Sequence, residues 1–200
     1  MTVMAISGYK DNGYLILACV ELGYLCKEWV TLDPTYGEGV FWKHWRPNTL
    51  VAHDLDPELS PSGVSIDATM LPYPDRHFDS VVIDGPYKLN GKPTEETDKR
   101  YGVHIPTRWQ DRMQLLGKML TEGARVLDGG FLLFKCQDQV CSGKVRWQTH
   151  VFTDLAVTLD LGLVDRLEFC SYRPQPDGTR QVTARRNSST MLIFKRGWRS

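Results

Sequence analysis

The chain has 200 residues, 42% of them hydrophobic and 24% charged, which suits one globular domain over residues 1–200 with a core that needs no disulfide or metal staple. Lys+Arg and Asp+Glu are both 24, so no global basic field is available to hold nucleic acid and any such contact must be local. Five cysteines with no Cys-x-x-Cys pair and five scattered histidines exclude a zinc knuckle or disulfide framework. No apolar run approaches the roughly 18 residues that span a bilayer, and no basic-then-apolar leader opens the chain. The expectation is a soluble, unprocessed, cytoplasmic protein with no metal and no membrane partner.

In chain order, Asp11 or Asn12 can cap a helix over residues 11–28, with Leu15, Ala18, Cys19 and Leu22 at helical spacing. Trp29 to Leu32 reads as a short strand that ends in Asp33-Pro34-Thr35-Tyr36-Gly37-Glu38-Gly39, an acid followed by a turn with two glycines where a ligand can approach the backbone. A short helix over Val40 to Trp45 is expected next. The second strand, Leu50 to Asp56, runs into acids, and Asp54 stands 54 − 33 = 21 positions past Asp33. Dinucleotide-binding folds place a ribose-binding acid about 20 residues beyond their glycine loop.

Val64 to Thr69 and a Leu71-Pro72-Tyr73-Pro74 loop lead into Ser80-Val81-Val82-Ile83-Asp84-Gly85-Pro86-Tyr87. Four strand-forming residues end there in an acid, a Gly-Pro breaker and an aromatic. Asp84 is therefore expected at the carboxyl end of a buried strand, where open α/β sheets bind their ligands. Residues 88–108 are polar, with charges of both signs and little periodicity, as in a functional lid or a solvated loop. A helix from Thr107 that ends near Glu122-Gly123 or Val126-Leu127 follows, and Asp128-Gly129-Gly130 leads into a strand, Phe131 to Lys135. Residues 145–161 read as helical and Leu163 to Tyr172 as a strand. A Pro, Gly and charge-rich loop over Arg173 to Thr183 precedes the last strand, Ser188 to Lys195.

Asp84-Gly85-Pro86-Tyr87 resembles the Asp-Pro-Pro-Tyr element of the S-adenosylmethionine (SAM) dependent methyltransferases that act on exocyclic amino groups of bases, with Gly85 in place of the usual proline. Asp33, Gly37 and Gly39 resemble the first SAM-binding motif of class I methyltransferases. Asp67-Ala68, with its Leu-Pro-aromatic-Pro loop, resembles the motif that contacts the adenine of SAM. Asp128-Gly129-Gly130 resembles the family's glycine turn before a strand, and Arg185-Arg186-Asn187 its basic approach to the last strand.

The resemblance implies a single Rossmann-like α/β domain with a seven-stranded, mostly parallel sheet, an antiparallel last strand and helices on both faces. It implies SAM as cofactor, held by Asp33, Pro34, Thr35, Gly37, Gly39, Asp54, Asp67 and Ala68. Asp84, Gly85, Pro86 and Tyr87 would be catalytic. Lys88, Arg108, Arg185, Arg186 and Asn187 would touch a nucleic-acid substrate, with loops 88–108 and 173–187 as target-binding insertions. The expected activity is methylation of a base amino group, adenine N6 in DNA foremost. Because no separate recognition domain is visible, a recognition partner or a homodimer is also expected. An RNA or small-molecule methyltransferase and a non-catalytic SAM-fold subunit are the alternatives.

Overall fold

A computed structural model describes residues 3–89, 108–170, 183–184 and 186–198. Asp11 caps the first helix, α1 (Asn12–Glu21), its Oδ1 accepting from the backbone of Gly13 and Tyr14 at 2.9 and 3.2 Å. That satisfies two amides the helix cannot pair internally. The helix is shorter than its periodicity suggests and stops before Gly23, whose φ is +78°.

Seven strands form one sheet in the order β1 (Ile6–Ser7), β8 (Leu161–Cys170), β9 (Ser188–Arg196), β5 (Leu127–Cys136), β4 (Phe78–Ile83), β2 (Val30–Asp33), β3 (Thr49–Ala52). All neighbours are parallel except β9, which runs antiparallel to both β5 and β8, as the last strand was expected to do. The seventh strand comes from the amino-terminal β1, whereas the Val64–Thr69 stretch contributes only an isolated bridge, Asp54 to Ser65.

Alternation along the central strands builds two cores. Val81, Ile83, Leu132, Phe134, Leu192 and Phe194 face α2 (Trp109–Val126) and α3 (Gln148–Thr158). Val82, Leu133, Met191 and Ile193 face α1 and Phe41 and Trp42. Successive side chains of a strand point to opposite faces, so the apolar runs are covered by helices on both.

Three local expectations are corrected. Val40–Trp42 is a single 3-10 turn, too short to pair its backbone as an α-helix. The Gly129-Gly130 pair lies inside β5 as an irregularity opposite Phe78 and Ser80, because a Cβ on Gly130 would sit 1.8 Å from the Asp79 carbonyl oxygen. Residues 145–147 do not belong to the following helix: β6 (Gln139–Cys141) and β7 (Lys144–Arg146) form a hairpin, closed by Ser142 and Gly143 at positive φ, before α3 begins. Among the described residues, no helix is long and apolar enough to cross a membrane.

Candidate active site

From β2 the chain moves to β3 on one side and then returns to β4 on the other. The carboxyl ends of β2 and β4 therefore flank the point where the connections diverge, the position at which open α/β sheets leave a crevice. A cavity of about 370 Å³ opens there, within the range of small-molecule sites. Asp33, Pro34, Thr35 and Gly37 line one wall, Asp54, Asp67 and Ala68 a second, and Asp84, Gly85 and Pro86 a third. Asn12 of α1, Phe41 of the 3-10 turn, and Leu115 and Met119 of α2 complete it. Segments distant in sequence are brought together because the parallel register puts every one of their strand ends on the same edge.

Asp33 is 2% exposed. Its Oδ2 accepts from Trp42 Nε1 at 2.7 Å, and its Oδ1 accepts from the Thr35 amide at 3.0 Å and the Thr35 hydroxyl at 3.3 Å. Burial pushes its pKa up to about 7, the bonds from Trp42 and Thr35 offset part of that, and the Asp84 charge raises it further. Thr35 Oγ1 also accepts from the Asp84 amide at 2.9 Å, so one hydroxyl joins the glycine loop to the tetrad. Asp54 Oδ2 accepts from the Gly37 amide at 2.8 Å and fixes that loop. Asp67 Oδ1 accepts from the amide and hydroxyl of Thr69, both at 2.8 Å, which makes a turn that holds Ala68 at the cavity.

Gly39 does not line the cavity. Its φ is +68°, and a Cβ there would come within 2.5 Å of the Tyr36 hydroxyl, so the glycine makes room for the Tyr36 ring, which does line the cavity. Gly85, by contrast, is not in the left-handed region, so a positive φ is not what the glycine supplies. A Cβ on Gly85 would meet Leu116 Cδ2 at 2.7 Å and Met119 Sδ at 3.0 Å, so α2 packs against the tetrad where a side chain would stand. The Gly85 carbonyl accepts from the Tyr87 amide at 2.8 Å and keeps one lone pair for another donor.

Lys135, at the end of β5, is the residue that sequence reasoning passed over. It is 2% exposed, and its Nζ donates to Asp84 Oδ2 and to Asn12 Oδ1, each at 3.1 Å. Burial works against its charge, but the Asp84 carboxylate and the Tyr87 phenol outweigh it and hold its pKa above the usual lysine value. Asp84 Oδ1 is buried and has no hydrogen-bond partner among the described residues. The signal for Lys135 was present as a cation closing the apolar run Phe131 to Phe134, a place that demands a partner.

Tyr87 lies beside the cavity, half-buried, and its carbonyl is clamped by the side-chain amides of Gln139 at 2.9 Å and Gln148 at 2.7 Å. Gln139 Oε1 accepts from the Leu89 amide at 3.0 Å, and buried Arg112 donates to the Lys88 carbonyl. The tetrad thus leaves the sheet in a fixed direction. Nothing in the local sequence announces these glutamines, because their partners are backbone groups about 50 and 60 residues away.

Of the residues expected to meet substrate, Lys88 and Arg108 are exposed, while Arg186 and Asn187 are half-buried, and none of the four lines the cavity. Arg185 and most of loops 88–108 and 173–187 lie outside the described residues. Among the described residues, no group of three or more His, Cys, Asp or Glu side chains could hold a metal ion.

No family profile matches the chain, and no curated protein matches it by sequence. Solved structures share its fold. A Bacillus halodurans protein provisionally assigned as a methyltransferase matches 91% of this chain and 98% of its own, with a TM-score of 0.57 at 14% identity. A Pyrococcus horikoshii protein provisionally assigned as an RNA methyltransferase matches 92% and 82%, with a TM-score of 0.55 at 12% identity. A SAM-dependent methyltransferase of Corynebacterium glutamicum matches 94% and 89%, with a TM-score of 0.52 at 14% identity. The fold is the methyltransferase type of Rossmann-like α/β architecture. The reaction has to be argued from the site.

Proposed function

We propose that this chain is a SAM-dependent methyltransferase acting on the exocyclic amino group of a nucleic-acid base, with adenine N6 in DNA as the favoured target. The observation that carries this reading is Asp84, which lines a cavity shared with the glycine loop: one carboxylate oxygen is tied to buried Lys135, and the other is buried and unpartnered. An orphaned acceptor in that position asks for a donor from a ligand.

The cavity residues fit the cofactor's chemistry. Asp54 and Asp67 each retain acceptor capacity for hydroxyl and amino groups, Ala68 and Phe41 offer apolar contact, and the loop from Asp33 to Gly37 presents close backbone. When bound, SAM supplies an electrophilic methyl group on a positively charged sulfur.

The chain's own residues do the rest. An exocyclic amine is a poor nucleophile because its lone pair is delocalised into the ring. Asp84 Oδ1 and the free lone pair of the Gly85 carbonyl, accepting its two N–H bonds, favour the pyramidal form and aim the lone pair away from both acceptors. Lys135 holds Asp84 Oδ2, and Asp84 Oδ1 is the acceptor for the proton that the nitrogen sheds after transfer. Tyr87 stacks on the base, worth about 1–3 kcal/mol at comparable sites. A base within a duplex must be flipped out to reach this position.

Mass spectrometry of nucleosides from DNA and RNA of cells expressing the protein tests the reading. N6-methyladenine in DNA is the expected product. A methylated base confined to RNA would move the substrate, and no methylated base in either would overturn the proposal.

A further inference from the structure

Two arginines are stacked on tryptophans. Arg146 Cζ stands 3.8 Å from the centroid of the Trp109 ring, and Arg186 Cζ 4.1 Å from that of Trp147. Both Nε atoms are buried without a hydrogen-bond partner, and among the described residues neither guanidinium forms an ion pair or donates a hydrogen bond. Neither Nη pair is among the buried orphans, so these nitrogens keep contact with solvent. The nearby Asp138 carboxylate is engaged by the Thr149 amide and hydroxyl at 2.9 to 3.1 Å.

Stacking that fixes two cations without neutralising them is hard to explain by stability alone, since a buried guanidinium edge normally finds an acceptor. It does suit an anionic ligand that brings its own acceptors.

The pairs are tied to the tetrad. Arg146 is the register partner of Gln139, whose amide holds the Tyr87 carbonyl. Trp147 directly precedes Gln148, the second amide on that carbonyl, and the Arg186 carbonyl accepts from Gln137, two residues past Lys135. Trp147 is 43% exposed, with exposed Val151 one helical turn further on. The result is a ledge of two cationic edges and a part-exposed indole, which also carries the His150 ring at 5.4 Å, joined through Gln139 and Gln148 to the backbone of the tetrad.

We infer that this ledge grips the nucleic-acid strand on either side of the target base, with Arg146 and Arg186 taking backbone phosphates and Trp147 stacking a neighbouring base. The inference rests on the proposed function and gives it a substrate class, a single-stranded or locally opened strand. Aromatic platforms interleaved with basic side chains are how sequence-tolerant single-strand sites are built.

Fluorescence anisotropy with labelled single-stranded DNA, the matching RNA and the duplex tests it, with SAM calorimetry on every variant to establish folding. The double variant Arg146→Gln/Arg186→Gln is expected to bind single strands at least roughly tenfold more weakly. Its salt slope should fall by about 1.4, at 0.7 for each of the two phosphates no longer neutralised. Trp147→Ala, or Trp147→Phe if the alanine variant fails to fold, separates stacking from charge. The alanine variant should weaken binding roughly tenfold with the slope unchanged, and the phenylalanine variant should keep most of the affinity. Wild-type binding and methyl transfer that these variants leave unchanged would overturn the ledge and leave the proposed function standing. A wild-type protein that binds no oligonucleotide, or that binds polyglutamate in its place, would overturn the ledge and the nucleic-acid reading together.

Discussion

Lys135 and Asp84, on adjacent parallel strands and the turn that follows, form an ion pair of 3.1 Å in which the lysine side chain is 3% exposed and the aspartate 18%. A cation this deep persists because Asp84, Asn12 and Tyr87 surround it. The pair orients Asp84 as much as it stabilises it, since it engages Oδ2 and leaves Oδ1 buried without a partner.

Lys135→Met should therefore cost about 3 kcal/mol of stability, the usual result of stranding one member of a buried pair. It should also slow methyl transfer about 10²-fold, as removal of one preorganised electrostatic partner does. Lys135→Arg should restore part of the rate, because it returns a cation to Asp84 Oδ2. Steady-state rates, with urea unfolding as the stability control, check this.

Asp33 gives the fold a pH dependence. Its folded pKa, pushed up to about 7, lies above its value in the unfolded chain, so the native state holds a proton that the unfolded state has released. The stability this gives is full below the ordinary carboxylate range and is lost as pH rises through about 7. Urea unfolding should show wild-type stability declining across that window, with Asp33→Asn flattening the decline. A steeper slope in the variant would contradict the assignment.

Gly85→Pro tests what the glycine is for. If space under α2 is the requirement, the substitution should cost about 1–3 kcal/mol through crowding of Leu116 and Met119. A companion Met119→Ala should return part of that loss, a coupling that a double-mutant cycle on unfolding free energies would reveal. Strict additivity would argue that the two positions do not meet.

Tyr87 is expected to depend on its ring first. Tyr87→Ala should lower activity at least roughly tenfold by removing the stacking face. Tyr87→Phe should keep the ring but take a partner from Lys135, with a smaller loss of rate and stability. Paired kcat and KM measurements on the two variants separate these effects.

Much of this architecture was legible in the sequence because its signals are local. Val81 to Ile83 announce a buried strand, Asp84 and Gly85 its end, and Asp11 the start of a helix. Asp33 and Asp54 could be placed at one cavity because the parallel strands they follow share one carboxyl edge. What stayed hidden depends on partners remote in sequence. Lys135 gains meaning only beside Asp84, 51 residues away, and Gln148 only beside the Tyr87 carbonyl, 61 residues away. The hairpin at Gln139–Arg146 was hidden for a different reason, since strands of three residues are too short to show a period. Gly39 and Gly85 were read as backbone devices because glycine's missing side chain does not reveal which neighbour fills the space.

The central claim is that Asp84 holds the reacting amine, and methyl transfer by Asp84→Ala tests it most directly. Purified wild-type and variant protein should be given labelled SAM and adenine-containing DNA, with calorimetric SAM binding measured on both. The account predicts transfer by the wild type and none detectable by the variant, with SAM affinity within a few-fold because the orphaned Oδ1 is held for the amine. A folded, SAM-binding Asp84→Ala protein that methylates at the wild-type rate would contradict it.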